Sequence, residues 1–294
     1  MFPSESHPIV NAFTAALKNG NKNSKDTKSS YLQKVTSTLG WRNRYSQADQ
    51  YPMELNLPPH ENNRIVTFHV QQVQRGEIDR TFGTGATVWP ASIVLVKYLE
   101  VLCHQMPVKN MVIGDLGSGT GITSIAAALL FEDSYIFCTD GEDAVVDLAL
   151  RNVHFAGKEL DSLDGTLHQH ANTVQIGSSL IHVSKYRWGD GSIIQNMKRI
   201  VSADEEFDII ICSDCLLPKL YPIDPLVEAL DECLSSKTIA YLTYEHRYYP
   251  NYDPKEYFIN CCLNKRLIVR TVPLNEQHQI YSVQDIDILE IKRQ

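Results

Sequence analysis

One stretch constrains this chain more than any other: Asp115-Leu-Gly117-Ser-Gly119-Thr-Gly121, which follows the apolar run Met111-Val-Ile-Gly and leads into the Ala-rich segment 122–130. An apolar run, a glycine turn and a small-residue helix read as the opening of a βα unit on a buried parallel sheet. Gly117 and Gly119 let backbone approach a ligand closely, and Gly121 relieves crowding where the helix begins. The spacing is G-x-G-x-G, not the G-x-G-x-x-G of a dinucleotide fingerprint, and the lysine of a phosphate-binding loop is absent. An acidic residue just ahead of the turn is awkward beside phosphates. It suits a cationic ligand or an amine donor.

The alternation continues downstream. Residues 135–139 repeat the strand signal and 142–155 the helix signal, in the βαβ manner. Further strands are expected at 181–184, 207–212, 238–243, 267–272 and 285–291, with helices at 226–234 and 254–262. Upstream, residues 64–73 read as a strand, with the segment from Gly76 to Thr87 pairing back beside it, and 91–103 as a helix. The polar, histidine-containing stretch 157–177 reads as a surface insertion. The predicted fold class is α/β, with an open sheet of about seven strands. Composition separates residues 1–60, an N-terminal extension, from one domain at 61–294. Asn19 to Ser30 has nothing apolar to bury and reads as a flexible linker, and residues 9–17 could form two helical turns.

Charge and cysteine usage exclude several classes. The 294 residues carry 27 Lys and Arg against 35 Asp and Glu, a net charge of −8, so no global positive field invites nucleic acid or anionic lipid. No apolar run reaches the length of a spanning helix, and the opening lacks the basic and apolar regions of a secretory signal. The seven cysteines are odd in number and scattered. Reduced thiols inside a cell are expected, in the cytoplasm and with the nucleus as a further address. Cys212 and Cys215 form the single CxxC spacing, without the second pair or spaced histidine that a metal site needs, so no metal is expected.

Asp140 ends the strand after the glycine turn, where a carboxylate can accept hydrogen bonds from both hydroxyls of a ribose, in NAD or another adenosine cofactor. With Gly83-Thr-Gly-Ala-Thr-Val-Trp89-Pro-Ala-Ser ahead of the first core helix, Trp188-Gly189, and Phe207-Asp208-Ile-Ile-Ile-Cys-Ser213-Asp214, the chain resembles the seven-stranded S-adenosylmethionine-dependent methyltransferases. Within them it is most similar to methyltransferase family 16, known for protein lysine methylation. The resemblance spans roughly Thr81 to Leu242.

It implies a Rossmann-like seven-stranded sheet flanked by helices, S-adenosyl-L-methionine as cofactor, and a protein as substrate. It also assigns residues. Trp89, Asp115, Gly117, Ser118, Gly119, Gly121, Asp140, Trp188 and Ser213 are implied to bind cofactor, with Asp115 on its methionine portion. Asp214 and Glu245 are implied as catalytic, and Arg247 and Tyr249 as the acceptor entrance. The chain departs from the family at Leu217, where members carry a tyrosine in Asp-x-x-Tyr. Two readings therefore stand beside lysine methylation: a cofactor-binding pseudoenzyme serving as an interaction module, and an arginine methyltransferase.

Overall fold

The computed structural model describes residues 40–58, 64–74, 83–105, 109–160 and 172–294. The expected helix at 9–17, the linker at 19–30 and the turn at Gly76 lie outside them. The elements below belong to a compact unit spanning Trp41–Gln294. This unit starts well before residue 61, because β1 (Gln50–Leu57) already buries Tyr51, Met53, Leu55 and Leu57 on alternate positions. That is the period of a strand with one covered face. β1 pairs antiparallel with β2 (Arg64–Gln71), in register from Gln50 opposite Gln71 to Leu57 opposite Arg64. Of the segment 76–87 expected beside β2, residues 76–82 lie outside the described ones; just past β2, Val73 N–H donates to the Ala86 carbonyl at 2.8 Å, while the strand paired along β2 itself comes from upstream.

Beyond this hairpin the chain alternates. It forms α1 (Pro90–Gln105), β3 (Val112–Leu116), α2 (Ile122–Leu130), β4 (Tyr135–Asp140), α3 (Asp143–Leu160), β5 (Thr173–Ile176), β6 (Ser179–Lys185) and α4 (Ser192–Ile200). There follow β7 (Ile209–Ser213), α5 (Ile223–Cys233), β8 (Ile239–Glu245), α6 (Pro254–Asn264), β9 (Leu267–Thr271) and β10 (Ile286–Arg293).

Among the described residues the main sheet has eight strands in the order β5-β6-β4-β3-β7-β8-β10-β9. β6, β4, β3, β7 and β8 run parallel, and β10 inserts antiparallel between β8 and β9. The eighth strand is β5, a short antiparallel edge strand on β6. It falls inside the stretch read as a surface insertion, where four residues give too little alternation to announce a strand.

Central strands buried on both faces explain the near-continuous apolar runs: all five residues of β3 are buried. One face is covered by the hairpin and α1 to α3, through Leu55, Phe68, Leu95, Leu99, Ile125 and Val153. The other face is covered by α4 to α6, through Ile193, Leu226, Leu230 and Phe258. Because β3 is followed on one side by β4 and on the other by β7, the strand order reverses there. A crevice opens beyond the carboxyl ends of those strands, where open α/β sheets bind ligands.

Candidate active site

A cleft of about 860 Å³ occupies this crevice. Its floor is the glycine turn after β3. Gly117 has φ +71°, and a Cβ there would meet Cys215 Sγ at 3.0 Å and Trp188 at 3.4 Å. Gly119 has φ +56°, and a Cβ there would lie 2.6 Å from the Gly85 carbonyl oxygen. Only glycine lets the turn bend this way while the 83–89 segment closes over it. The turn is pinned by Ser118 N–H donating to the Thr139 carbonyl at 2.8 Å, and Thr139 Oγ1 donates to the Asp115 carbonyl at 2.7 Å. Gly121 sits at the N-cap of α2, packed on Ala149.

Asp140, at the end of β4, lines the cleft. Its Oδ2 accepts from Gly119 N–H and its Oδ1 from Glu142 N–H, each at 3.2 Å. Each oxygen keeps a lone pair, so the carboxylate can still accept from a vicinal diol. Burial pushes its pKa up, against the lowering effect of those backbone donors. Trp188, after β6, lines the wall and meets Tyr221 edge-on at 6.1 Å between ring centroids. Trp89 lines the cleft while its indole N–H donates to the Thr84 carbonyl at 2.9 Å, which holds the 83–89 segment in place. Ser118 and Ser213 also line it, with the Ser213 hydroxyl 2.9 Å from Ser92 Oγ.

Asp115 is placed elsewhere than expected. Its side chain is fully buried beneath the turn, where Oδ2 accepts from Thr123 Oγ1 at 2.5 Å and Ser124 Oγ at 2.6 Å. Burial raises its pKa to about 6, although both hydroxyls pull it down. The carboxylate therefore ties the turn to the start of α2 and does not line the cleft. An acid before a glycine turn signals both arrangements alike, and only the packing separates them.

Just past the end of β7, Asp214 lines the cleft in a left-handed conformation, φ +55°. Its carboxylate is turned onto Arg247, with Nη1 to Oδ1 at 2.8 Å and Nη2 to Oδ2 at 2.5 Å. Arg247 Nη2 also reaches Glu245 Oε2 at 3.5 Å, and Glu245 Oε1 is held by Arg42 Nη2 at 2.6 Å. Arg42 Nη1 bonds Asp285 Oδ2 at 2.6 Å. The five groups form a ladder of alternating charge. Burial disfavours the guanidinium of Arg247, but its bonds to Asp214 and the nearby carboxylates outweigh this and raise its pKa. Burial and the charge of Asp214 raise the pKa of Glu245, and the two arginines oppose the shift.

Glu245, Arg247 and Tyr249 thus stand behind the rim and do not line the cleft. The catalytic role expected of Glu245 and the entrance expected of Arg247 are corrected to a supporting layer, since Arg247 spends its donors on Asp214 and Glu245; Tyr249 lies outside the cleft lining, with Lys219 Nζ over its ring. Leu217 lines the cleft with an apolar side chain; Tyr186 lines it as well, and so does Tyr221. Its hydroxyl lies 2.6 Å from Thr84 Oγ1, and burial raises its pKa. Sequence reasoning missed Tyr221, Arg42 and Thr84. Tyr221-Pro222 ahead of a helix was the available signal for the first; Arg42 gave none.

A family model described as lysine methyltransferase matches residues 71–263, from the end of β2 to α6. This chain belongs to the lysine methyltransferase family. The match contains the glycine turn, Asp140, Trp188 and Asp214, and runs beyond the Thr81–Leu242 span that carries the resemblance. Among curated members, protein N-lysine methyltransferase METTL21A of Danio rerio is 25% identical over 236 residues, covering 78% of this chain and 92% of that one. Protein-lysine methyltransferase METTL21E of Bos taurus is 25% identical over 157 residues, 53% of this chain and 45% of its own length. Calmodulin-lysine N-methyltransferase of Arabidopsis thaliana is 24% identical over 136 residues, covering 46% and 36%. Of the last two, the chain spans less than half the length. Among solved structures, precorrin-6y C5,15-methyltransferase of Geobacter metallireducens is similar at 11% identity and a TM-score of 0.44, covering 74% of this chain and 92% of that one.

Proposed function

We propose that this chain transfers a methyl group from S-adenosylmethionine to a lysine side-chain nitrogen of a protein. One observation carries the reading: a single cleft at the strand ends joins the glycine turn, a diol-accepting Asp140 and a carboxylate rim at Asp214, in a member of the lysine methyltransferase family. The residues fit the cofactor, because a Cβ at Gly117 would press on the walls formed by Cys215 and Trp188. When bound, S-adenosylmethionine supplies an electrophilic methyl on a sulfonium.

The chain's own residues do the rest. The Gly117 and Gly119 backbone leaves room for the donor, Asp140 accepts from the ribose hydroxyls, and Trp188 packs beside the base. Lysine must attack as a neutral amine although its reference pKa is about 10.4, so the acceptor side should not stabilise an ammonium. Arg247 neutralises Asp214, and Leu217, Trp89 and Tyr221 make the neighbouring walls largely apolar or aromatic. Tyr221 offers a hydroxyl to orient the amine lone pair. Positioning in line with the sulfonium provides most of the acceleration. Seven free thiols, six of them buried, support a reducing intracellular address.

Leu217 keeps the interaction-module reading as the alternative, since it brings no hydroxyl to the rim. Transfer of label from S-adenosylmethionine into a whole-cell protein extract separates the two. The wild type is expected to label a protein band at lysine, Gly119→Arg to lose both cofactor binding and label, and Asp214→Ala to lose label on the order of 100-fold, each variant being checked for folding. Cofactor binding by the wild type without any labelled protein would sink the catalytic reading.

A further inference from the structure

Outside the cleft, the surface carries an aromatic chain that the reaction does not use. Lys219 Nζ sits 5.5 Å over the Tyr249 ring, Tyr249 meets Tyr252 at 6.3 Å, and Tyr252 meets Tyr257 at 5.9 Å. The Tyr257 hydroxyl then donates to Asp224, at 3.1 Å to Oδ1. Both ends of this chain adjoin residues that line the cleft: Leu220 follows Lys219, and Asp224 lies between Pro222 and Pro225. The surface is open. Tyr248 is 88% exposed, Leu220 58%, and Tyr252 and Tyr257 each 39%. Tyrosines this exposed and in mutual contact are enriched at binding surfaces.

Charge selects the occupant. Asp224 bonds the Tyr257 hydroxyl, Asp253 follows Tyr252 and Glu256 precedes Tyr257 in the chain, and among the described residues none of the three is in a salt bridge. Asp224 accepts from Tyr257 and Cys261, and Asp253 caps α6 through the Lys255 and Glu256 amides. The neighbouring lysines are already spent, Lys255 on Asp287 and Lys265 on Glu228. Lys219 over Tyr249 demonstrates that the rings accept a cation face-on.

We propose that this tyrosine and carboxylate surface docks a Lys- and Arg-bearing segment of the protein substrate, next to the lysine that enters the cleft. The inference rests on the methyl-transfer reading above and names the kind of substrate surface it takes.

The test uses the full chain, labelled S-adenosylmethionine and a whole-cell protein extract, with Tyr252→Ser and Glu256→Lys as separate variants. Both side chains are exposed, so thermal unfolding and affinity for S-adenosylmethionine should match the wild type. The initial rate of labelling is expected to fall about tenfold in each, and mass spectrometry of the band should place further Lys or Arg residues beside the modified lysine. No labelled protein with the wild type overturns the methyl-transfer reading and this one with it. Labelling by the wild type and equally by both variants, or a modified lysine flanked by acidic residues, overturns only the docking surface.

Discussion

Asp140 illustrates how one carboxylate can be both structural and available. Two backbone amides hold it, yet each oxygen retains an acceptor position toward the cleft. Asp140→Ala is expected to weaken S-adenosylmethionine binding by about 2–3 kcal/mol, on the order of 100-fold, read by titration calorimetry. Unchanged affinity would remove it from the ribose. Asp115 makes the opposite case, for its carboxylate is sealed under the turn. Its folded pKa of about 6 lies above the ordinary 3.8, so between those values the folded state holds more protons than the unfolded one. Its contribution to stability therefore falls as pH rises from about 4 to about 6, and the loss is complete above that window, by about 3 kcal/mol. The difference in denaturant stability between Asp115→Asn and wild type should accordingly shift in the variant's favour as pH is raised through the window. A pH-independent difference would contradict the buried, proton-gaining carboxylate.

At the scale of elements, the glycine turn depends on α3 as much as on its own residues. Asn152, fully buried, donates from Nδ2 to the Thr120 carbonyl at 2.9 Å and to the Gln71 carbonyl at 3.0 Å. Its Oδ1 accepts from Gln71 N–H at 2.8 Å. One side chain thus links the hairpin, the helix and the cofactor turn. Asn152→Ala leaves the buried Thr120 carbonyl without this partner and removes both bonds to the Gln71 backbone, and is expected to cost roughly 1–3 kcal/mol and to weaken cofactor binding as well. Urea unfolding monitored beside calorimetry checks both effects. A loss of stability with unaltered cofactor affinity would confine Asn152 to the hairpin contact.

At the scale of the whole molecule, the charged ladder joins residues far apart in sequence. Arg42 reaches Glu245 across 203 positions and Asp285 across 243. The segment ahead of β1 thereby supports the rim that bears Asp214. Arg42→Ala leaves Glu245 to compete with Asp214 for Arg247. Turnover of the labelled protein is expected to fall about tenfold while cofactor affinity stays as in the wild type, since Arg42 bonds Glu245 and Asp285, neither of which lines the cleft. An unaltered rate would make the ladder a matter of stability alone.

Much of this arrangement was legible residue by residue. The strand, glycine turn and helix at 111–130, the alternation after it, and Asp140 at the next strand end follow from periods of two and 3.6 and from backbone that only glycine tolerates. These are demands settled among near neighbours, so a linear reading finds them. The pairing of β2 with β1, the edge strand β5, the burial of Asp115 and the withdrawal of Glu245, Arg247 and Tyr249 from the cleft were not legible. Each depends on what the sheet order brings alongside. Tyr221 enters the cleft because α5 begins beside the 83–89 segment, and Arg42 reaches the rim because the end of β8 and the start of β10 lie side by side. The sequence by itself determined the fold class and the cofactor turn, because these rest on local backbone geometry and hydrophobic period, and it pointed to the family through the resemblance its motifs carry. Only the tertiary structure decided which charged groups face the reacting lysine, because a buried charge settles on whichever opposite charge the packing delivers to it.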